Sequence, residues 1–302
     1  MRVGITGILG HIGSAILPEL GENHDIVAID NLSSNHHAVL FRQNLTRPVR
    51  FIQADIMDAN LPDLFYGCDV VVHLAAITDA AHSHLRKEEV ETVNFIGTQK
   101  VAQACARVGA KLIFLSSTSV YGKSDGIVDE TCTDIRPQTP YAWSKINSEN
   151  YLCQIPELEF VILRLGTIYG LSLGGRFHTA VQNFAWHAAT RQPVEVWSTA
   201  LHQTRPYLWI EDAVSAIVHV IDINLFDQMV YNVVTANWTV SQIIAEIKRH
   251  RPDLTVKMVE SELMNQLSYT IDGSKFMATG WNPKGNLSDG IAQEMDWLSW
   301  IN

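Results

Sequence analysis

Three glycines near the start of the chain have the clearest capacity for chemistry. In "VGITGILGHIG", Gly7, Gly10 and Gly13 fall between an apolar run and a helical pattern. Glycine permits a tight turn and close approach of backbone to a ligand. The helix that follows offers free N–H groups and a favourable dipole to an anion, so this spacing suits a pyrophosphate. It is GxxGxxG rather than the GxGxxG of the common dinucleotide fingerprint. Asp30 ends the next apolar run, where a carboxylate can accept from both ribose hydroxyls of an adenosine and repel a 2′-phosphate. The residues after it, "NLSSNHH", include no Arg or Lys, which favours NAD over NADP. Further on, "LSSTSVYG" sets four hydroxyl residues, Ser116 to Ser119, at the end of an apolar run. They can be ordinary loop polarity or hydrogen-bond donors aimed at a ligand. "PQTPYAWSKINSENY" then supplies Tyr141 and Lys145, which share one face of a helix at this spacing. A surface pair is the usual meaning of such a spacing, and its place after a fifth strand of a dinucleotide-type fold gives it more weight.

These residues need a scaffold, and the first half of the chain reads as one. Strands are expected at Val3–Thr6, Ile26–Asp30, Phe51–Gln53, Val70–Leu74, Leu112–Ser116 and Val161–Arg164. Several are continuous Val, Ile, Leu and Phe runs with little alternation, which suits parallel strands covered on both faces. Between the fourth and fifth, Val90, Val93, Gly97, Val101, Ala104 and Val108 recur at helical spacing, with Gly109 as the stop. Repeated strand–helix units predict an α/β fold, a Rossmann-type doubly wound parallel sheet over residues 1–170. Residues 171–302 are less regular and predict a smaller C-terminal lobe that shares the core, with some segments returning to the sheet. It opens on the glycine-rich "GLSLGGRFHT" and contains a capping box, Thr239 with Gln242, before a helix with Ile243, Ile244 and Ile247 on one face.

A chain of 302 residues with a net charge of −10 and no basic block is a poor match to nucleic acid or an anionic membrane surface. No apolar run approaches the roughly 20 residues needed to span a bilayer. No charged region, apolar stretch and cleavage site occur in series at the start, so no signal peptide is expected. Four scattered cysteines suggest a reducing, cytoplasmic setting. His36/His37 and His82/His84 look like metal pairs without a supporting ligand set, and no metal is expected. Trp186, Trp197 and Trp209 are expected mostly to pack in the smaller lobe.

Taken together, "TGILGHIG", "AIDNLSS", "ADIMD", "VVHLAA", "VNFIGT", "LSSTSVYG", "PYAWSK", "LRLGTIYG", "RPYLWIEDA" and "YNV" occur in an order that closely resembles the extended short-chain dehydrogenases/reductases of the sugar-nucleotide epimerase/dehydratase family, such as the UDP-glucose 4-epimerase-like proteins. The resemblance runs over nearly the whole chain. It implies NAD as cofactor, with Gly7, Gly10, His11, Ile12 and Gly13 at the pyrophosphate. Asp30, Asn31 and Ser33 would hold the adenosine ribose, and Asp55 and Ile56 would border the adenine. Leu74, Ala75 and Ala76 would line the nicotinamide side, Asn94 would anchor from the long helix, and Ser116 would face the cofactor.

The resemblance also implies a catalytic trio of Ser117, Tyr141 and Lys145. Tyr141 would take the proton of a sugar hydroxyl while hydride leaves the same carbon. An ordinary tyrosine is only about one part in a thousand ionised at pH 7, so about 3 units of lowering, roughly 4 kcal/mol, would be asked of Lys145 and the nicotinamide. Ser117 would bond the reacting oxygen. Substrate contacts would fall at Thr78, Thr118, Thr167 and Arg205, the last gripping a diphosphate. Dehydratases of this family carry Asp-Glu directly after the catalytic hydroxyl residue, and sugar-acid decarboxylases usually carry Glu just before Val-Tyr-Gly. Here those places hold Thr118 and Ser119. Galactose-type 4-epimerases have Lys where Thr78 stands. The implied function is an NAD-dependent nucleotide-sugar 4-epimerase acting through a transient 4-keto sugar. A reductase or dehydrogenase, or a catalytically idle NAD-binding regulator, are the alternatives. The family also implies a homodimer, formed by the long helix and the Tyr-Lys helix with their copies.

Overall fold

A computed structural model describes residues 1–41, 45, 47–124, 126–260 and 268–300. Its centre is a seven-stranded sheet in which every pairing is parallel. From one edge the order is Val230–Val233, Phe160–Leu165, Lys111–Ser117, Val70–His73, Arg2–Thr6, Asp25–Asp30 and Val49–Gln53. The six strands expected from the apolar runs are all present, within two residues at each end. Phe160–Leu165 and Val70–His73 are buried at every position, the consequence of helices on both faces of a parallel sheet.

The seventh strand comes from the second half of the chain. Val230–Val233 pairs with Phe160–Leu165, and helix Ile210–Asp222 packs against helix His11–Asn23. One apolar core therefore runs from Val3 and Ile16 through Ile217 and Val233 to Trp281. The remaining strands form small sheets, mostly from the second half of the chain. Thr204–Trp209 lies between Ala236–Thr239, antiparallel, and Thr167–Tyr169, parallel. Val194–Trp197 pairs with Val256–Val259. The capping box at Thr239 and Gln242 forms with both hydrogen bonds, and Ile243, Ile244 and Ile247 are buried. Of the three tryptophans, Trp197 and Trp209 are half-buried, and Trp186 is 38% exposed with its ring edge-on to Phe177.

Sheet order reverses between Val70–His73 and Arg2–Thr6, because the chain builds outward from Arg2–Thr6 in both directions. The C-terminal ends of two neighbouring strands, and the loops after them, splay apart at that point and leave a crevice, the usual ligand position in such sheets. The segments that follow are Gly7–Gly13 and Leu74–Thr78. The long helix over the crevice spans Lys87–Val108 and contains a π-helical stretch, Glu91–Ile96. Such insertions often accompany functional sites, and this one carries the buried Asn94. Gly109 ends the helix in the left-handed region, with φ of 73°.

Candidate active site

The crevice holds two adjoining cavities. The one beneath the second and third strands has a volume of about 450 Å³ and is lined by Asp30, Asn31, Ser33, Asp55 and Ile56. The other, about 380 Å³, runs from the glycine turn to Tyr141 and on to Arg205. Leu74 and Ala76 line both, and Ala75 lines the first.

The glycine turn leaves no room for side chains. Gly7 has φ of 72°, and a Cβ on it would lie 2.6 Å from Ala75 N. On Gly13 a Cβ would lie 2.4 Å from Ile8 O. Gly10 opens the helix without a capping side chain, so its first N–H groups face the cavity with the dipole behind them. Asp30 is buried, accepting from Leu9 N at 3.0 Å and Leu32 N at 2.8 Å. Each carboxylate oxygen keeps a second lone pair for a ribose hydroxyl. These residues fit a dinucleotide: a close-approach turn for the pyrophosphate and an acceptor for ribose. Asn31 and Asp55 brace one another at 2.8 Å. A cation invisible to local reading also reaches this cavity. Arg86 lines it, but Glu89 engages its guanidinium through two bonds, at 2.6 and 2.5 Å, so a 2′-phosphate would have to displace a carboxylate.

His11 and Asn94 act through neighbours. His11 Nε2 lies 2.9 Å from Gly170 O, tying the glycine turn to the second half of the chain. Burial, with the Arg176 charge adding to it, lowers its pKa to about 4, so it is neutral near pH 7. Asn94 lines neither cavity; its amide holds Ile77 N and Ile77 O, both at 2.8 Å. It anchors the Leu74–Thr78 segment.

The catalytic candidates converge. Helix Pro140–Leu152 begins at Thr139, whose hydroxyl accepts from Ala142 N at 3.1 Å, with Pro140 in the first turn. This fixes Tyr141 and Lys145 over the end of strand Lys111–Ser117. Ser117 lines the same cavity as the Tyr141 phenol, and its own hydroxyl accepts from Ser119 N at 3.2 Å. Lys145 Nζ donates to Leu115 O at 2.8 Å and sits 5.7 Å from the centre of the Tyr141 ring. Burial lowers the Lys145 pKa to about 8 against the opposing pull of Glu149. Burial raises Tyr141 above its ordinary value, while the Arg176 guanidinium and the Ser117 hydroxyl pull it down. A second cation, Arg176, therefore acts on the phenol beside Lys145, one that the spacing of Tyr141 and Lys145 does not reveal.

The other hydroxyls divide. Ser116 donates to buried Glu149, which also binds Arg164, so its hydroxyl is engaged away from the cofactor cavity although the residue borders it. Thr118 donates to Leu165 O at 3.2 Å and lies 3.4 Å from the Tyr269 hydroxyl. Thr167 and Arg205 line the cavity. Thr78 accepts from Arg176.

The model of the NAD dependent epimerase/dehydratase family matches residues 3–257. The chain belongs to that family. Its relatives include a UDP-glucose 4-epimerase of Mycolicibacterium smegmatis, 28% identical over 227 residues, 72% of each chain. A dTDP-D-glucose 4,6-dehydratase of Bos taurus is 29% identical over 323 residues, 98% of this chain and 88% of that one. Among solved structures, the UDP-glucose 4-epimerase of Thermus thermophilus in complex with NAD superposes with a TM-score of 0.88 at 26% identity, covering 99% of both chains. The cofactor of the family is NAD, in agreement with the Asp30 reading.

Local reading missed the glycine-rich segment as part of the site. Leu171–Arg176 crosses the glycine turn as a strap. Ser172 Oγ donates to His11 O at 2.9 Å, and Gly174 N donates to Ser14 Oγ at 2.8 Å. A Cβ on Gly174 would lie 2.3 Å from Leu9 O. The glycines of "GLSLGG" were the available signal: they mark close approach of backbone to backbone. What they approach lies some 160 residues earlier in the chain.

Proposed function

We propose that this protein is an NAD-dependent nucleotide-sugar 4-epimerase, with Ser117, Tyr141 and Lys145 as its catalytic residues. The observation that carries the reading is the pairing of this trio with an acid-poor surround. Tyr141, Ser117 and Lys145 meet at one cavity, and the positions following Ser117 are the hydroxyl residues Thr118 and Ser119. Elimination of water needs an acid and a base besides the phenol, and the only carboxylate lining that cavity among the described residues is Asp79, bonded to His82.

Bound NAD would accept hydride from C4 of the sugar and return it to the opposite face. Tyr141 Oη takes the proton of the C4 hydroxyl, and Ser117 Oγ holds that oxygen. Lys145, pinned to Leu115 O, supplies positive charge on the cofactor side. Asp30, Asn31 and Ser33 hold the adenosine ribose, and the glycine turn holds the pyrophosphate. Arg205 grips the substrate diphosphate. Residues 1–170 chiefly serve the cofactor and 171–302 the substrate. We place the enzyme in the cytoplasm as a homodimer, without nucleic-acid or membrane partners. Ile96 and Trp143, both exposed on the two helices expected to pair, support the dimer.

Incubation with a panel of nucleotide sugars, followed by proton NMR and absorbance at about 340 nm, tests the reading. C4 epimers should accumulate to equilibrium without net reduction of NAD. Release of stoichiometric NADH with an oxidised sugar would assign a dehydrogenase instead.

A further inference from the structure

The cavity around Tyr141 has a cationic corner whose hydrogen-bonding capacity is not filled. Arg176 enters it from the strap. One guanidinium nitrogen donates to Thr78, while Nε is buried with no acceptor among the described residues. Asp79, the only carboxylate lining this cavity among the described residues, has its oxygens on His82 N at 3.2 Å and His82 Nδ1 at 2.9 Å. A second donor is also without a partner: Ser119 Oγ is buried and unbonded, and its backbone N–H binds Ser117 Oγ at 3.2 Å. Arg176, Ser119, Ser117 and Tyr141 line one cavity, so the two unpartnered donors share it with the place of the reacting hydroxyl.

A guanidinium can only donate, and a buried cation with a donor left unfilled is costly to keep. The group that completes this corner is rich in acceptors and carries negative charge. Its place relative to Tyr141 narrows the choice. In a pyranose, C1 and C4 lie across the ring from each other, so a diphosphate on C1 leaves from the end remote from Tyr141. The exocyclic C6 group is attached to C5, directly beside C4. We infer that Arg176, with Thr78 and Ser119, forms a carboxylate subsite beside Tyr141, and that the sugar inverted is a hexuronic acid with its C6 carboxylate on the guanidinium. This rests on the 4-epimerase reading. The planar fork of Arg matches a carboxylate through two parallel bonds.

UDP-glucose and UDP-glucuronic acid differ only at C6 and serve as the probe pair. Calorimetry on the NAD-loaded protein gives their affinities, NMR gives inversion at C4, and NAD affinity is measured on the same samples. The glucuronic acid member should bind at least about 10-fold more tightly, a modest return for one charged contact. Arg176→Gln should abolish that ratio, and Arg176→Lys should restore part of it. Equal or undetectable affinity for the two sugars overturns the proposal. So does an Arg176→Gln protein that keeps the ratio and loses NAD, which would assign the guanidinium to the dinucleotide phosphates. Selective binding of the acid with no inversion of either sugar supports the subsite and refutes the 4-epimerase reading.

Discussion

Replacing Glu149 by Gln should be among the most damaging single changes outside the glycine turn. Glu149 and Arg164 are 4% and 7% exposed at their side chains and share three bonds, at 3.0, 3.2 and 2.6 Å. Ser116 donates to the same carboxylate, and Arg164 stacks on the Tyr121 ring at 4.8 Å. Glutamine keeps the size but leaves the guanidinium without a counter-charge in the sheet, and its own N–H₂ then faces other donors. Breaking one partner of a buried pair costs about 3–5 kcal/mol, whereas replacing both by apolar residues of similar volume is often near neutral. Urea unfolding of Glu149→Gln should thus show a loss of about 3 kcal/mol or more, and the Glu149→Leu/Arg164→Met double variant a smaller one. A consequence at the site follows. Glu149 is the group that raises the Lys145 pKa against burial, so its loss should let Lys145 titrate below about 8. A Glu149→Gln loss under about 1 kcal/mol, or a double variant worse than either single, would refute the account of this pair.

Four further outcomes are expected. Tyr141→Phe should lower turnover at least about 100-fold, the usual worth of a positioned proton-transfer group, while leaving NAD binding in place by calorimetry. Gly174→Ala cannot keep the strap on the glycine turn, and losing the bonds of Ser172 and Gly174 at about 1 kcal/mol each should weaken NAD retention about 10-fold or more. Glu294 is buried with Gly170 N on one oxygen at 2.9 Å, and burial raises its pKa from 4.5 to about 7. The folded form therefore holds its proton more tightly, so this contribution is full below pH 4.5 and is lost as pH rises through about 7; unfolding of wild type and Glu294→Gln should diverge by about 3 kcal/mol between about pH 5 and pH 8. Sedimentation should find a dimer at micromolar concentration, and Trp143→Glu should shift it toward monomer.

Legibility in the sequence followed the distance between partners. The glycine turn, Asp30 and the Tyr141–Lys145 face are each set by spacing within a single element or turn, and apolar runs located six strands of the sheet. The seventh strand, Val230–Val233, was visible only as a family motif, because four residues carry too little periodicity to stand out. Other features depend on pairings that no window contains. Ser116 meets Glu149 across 33 residues, Arg176 meets Thr78 across 98, and Gly174 meets Ser14 across 160. The Tyr141 environment is the clearest case. The family resemblance implied a phenol supported by Lys145, and the fold adds Arg176 to it from the strap while burial pushes the other way. The π-helical stretch at Glu91–Ile96 likewise leaves no mark on a 3.6-residue pattern beyond a buried Asn94.

The central claim is that one carbon of a nucleotide sugar is oxidised and re-reduced in place, by hydride that never leaves the site. A nucleotide sugar labelled with deuterium at C4 tests this most directly, with the UDP-glucose and UDP-glucuronic acid pair as first substrates. Proton NMR should show the C4 epimer forming with the deuterium still on C4 and unlabelled NAD recovered from the protein. Epimer that has lost its deuterium to solvent, or label trapped on released NADH, would contradict it.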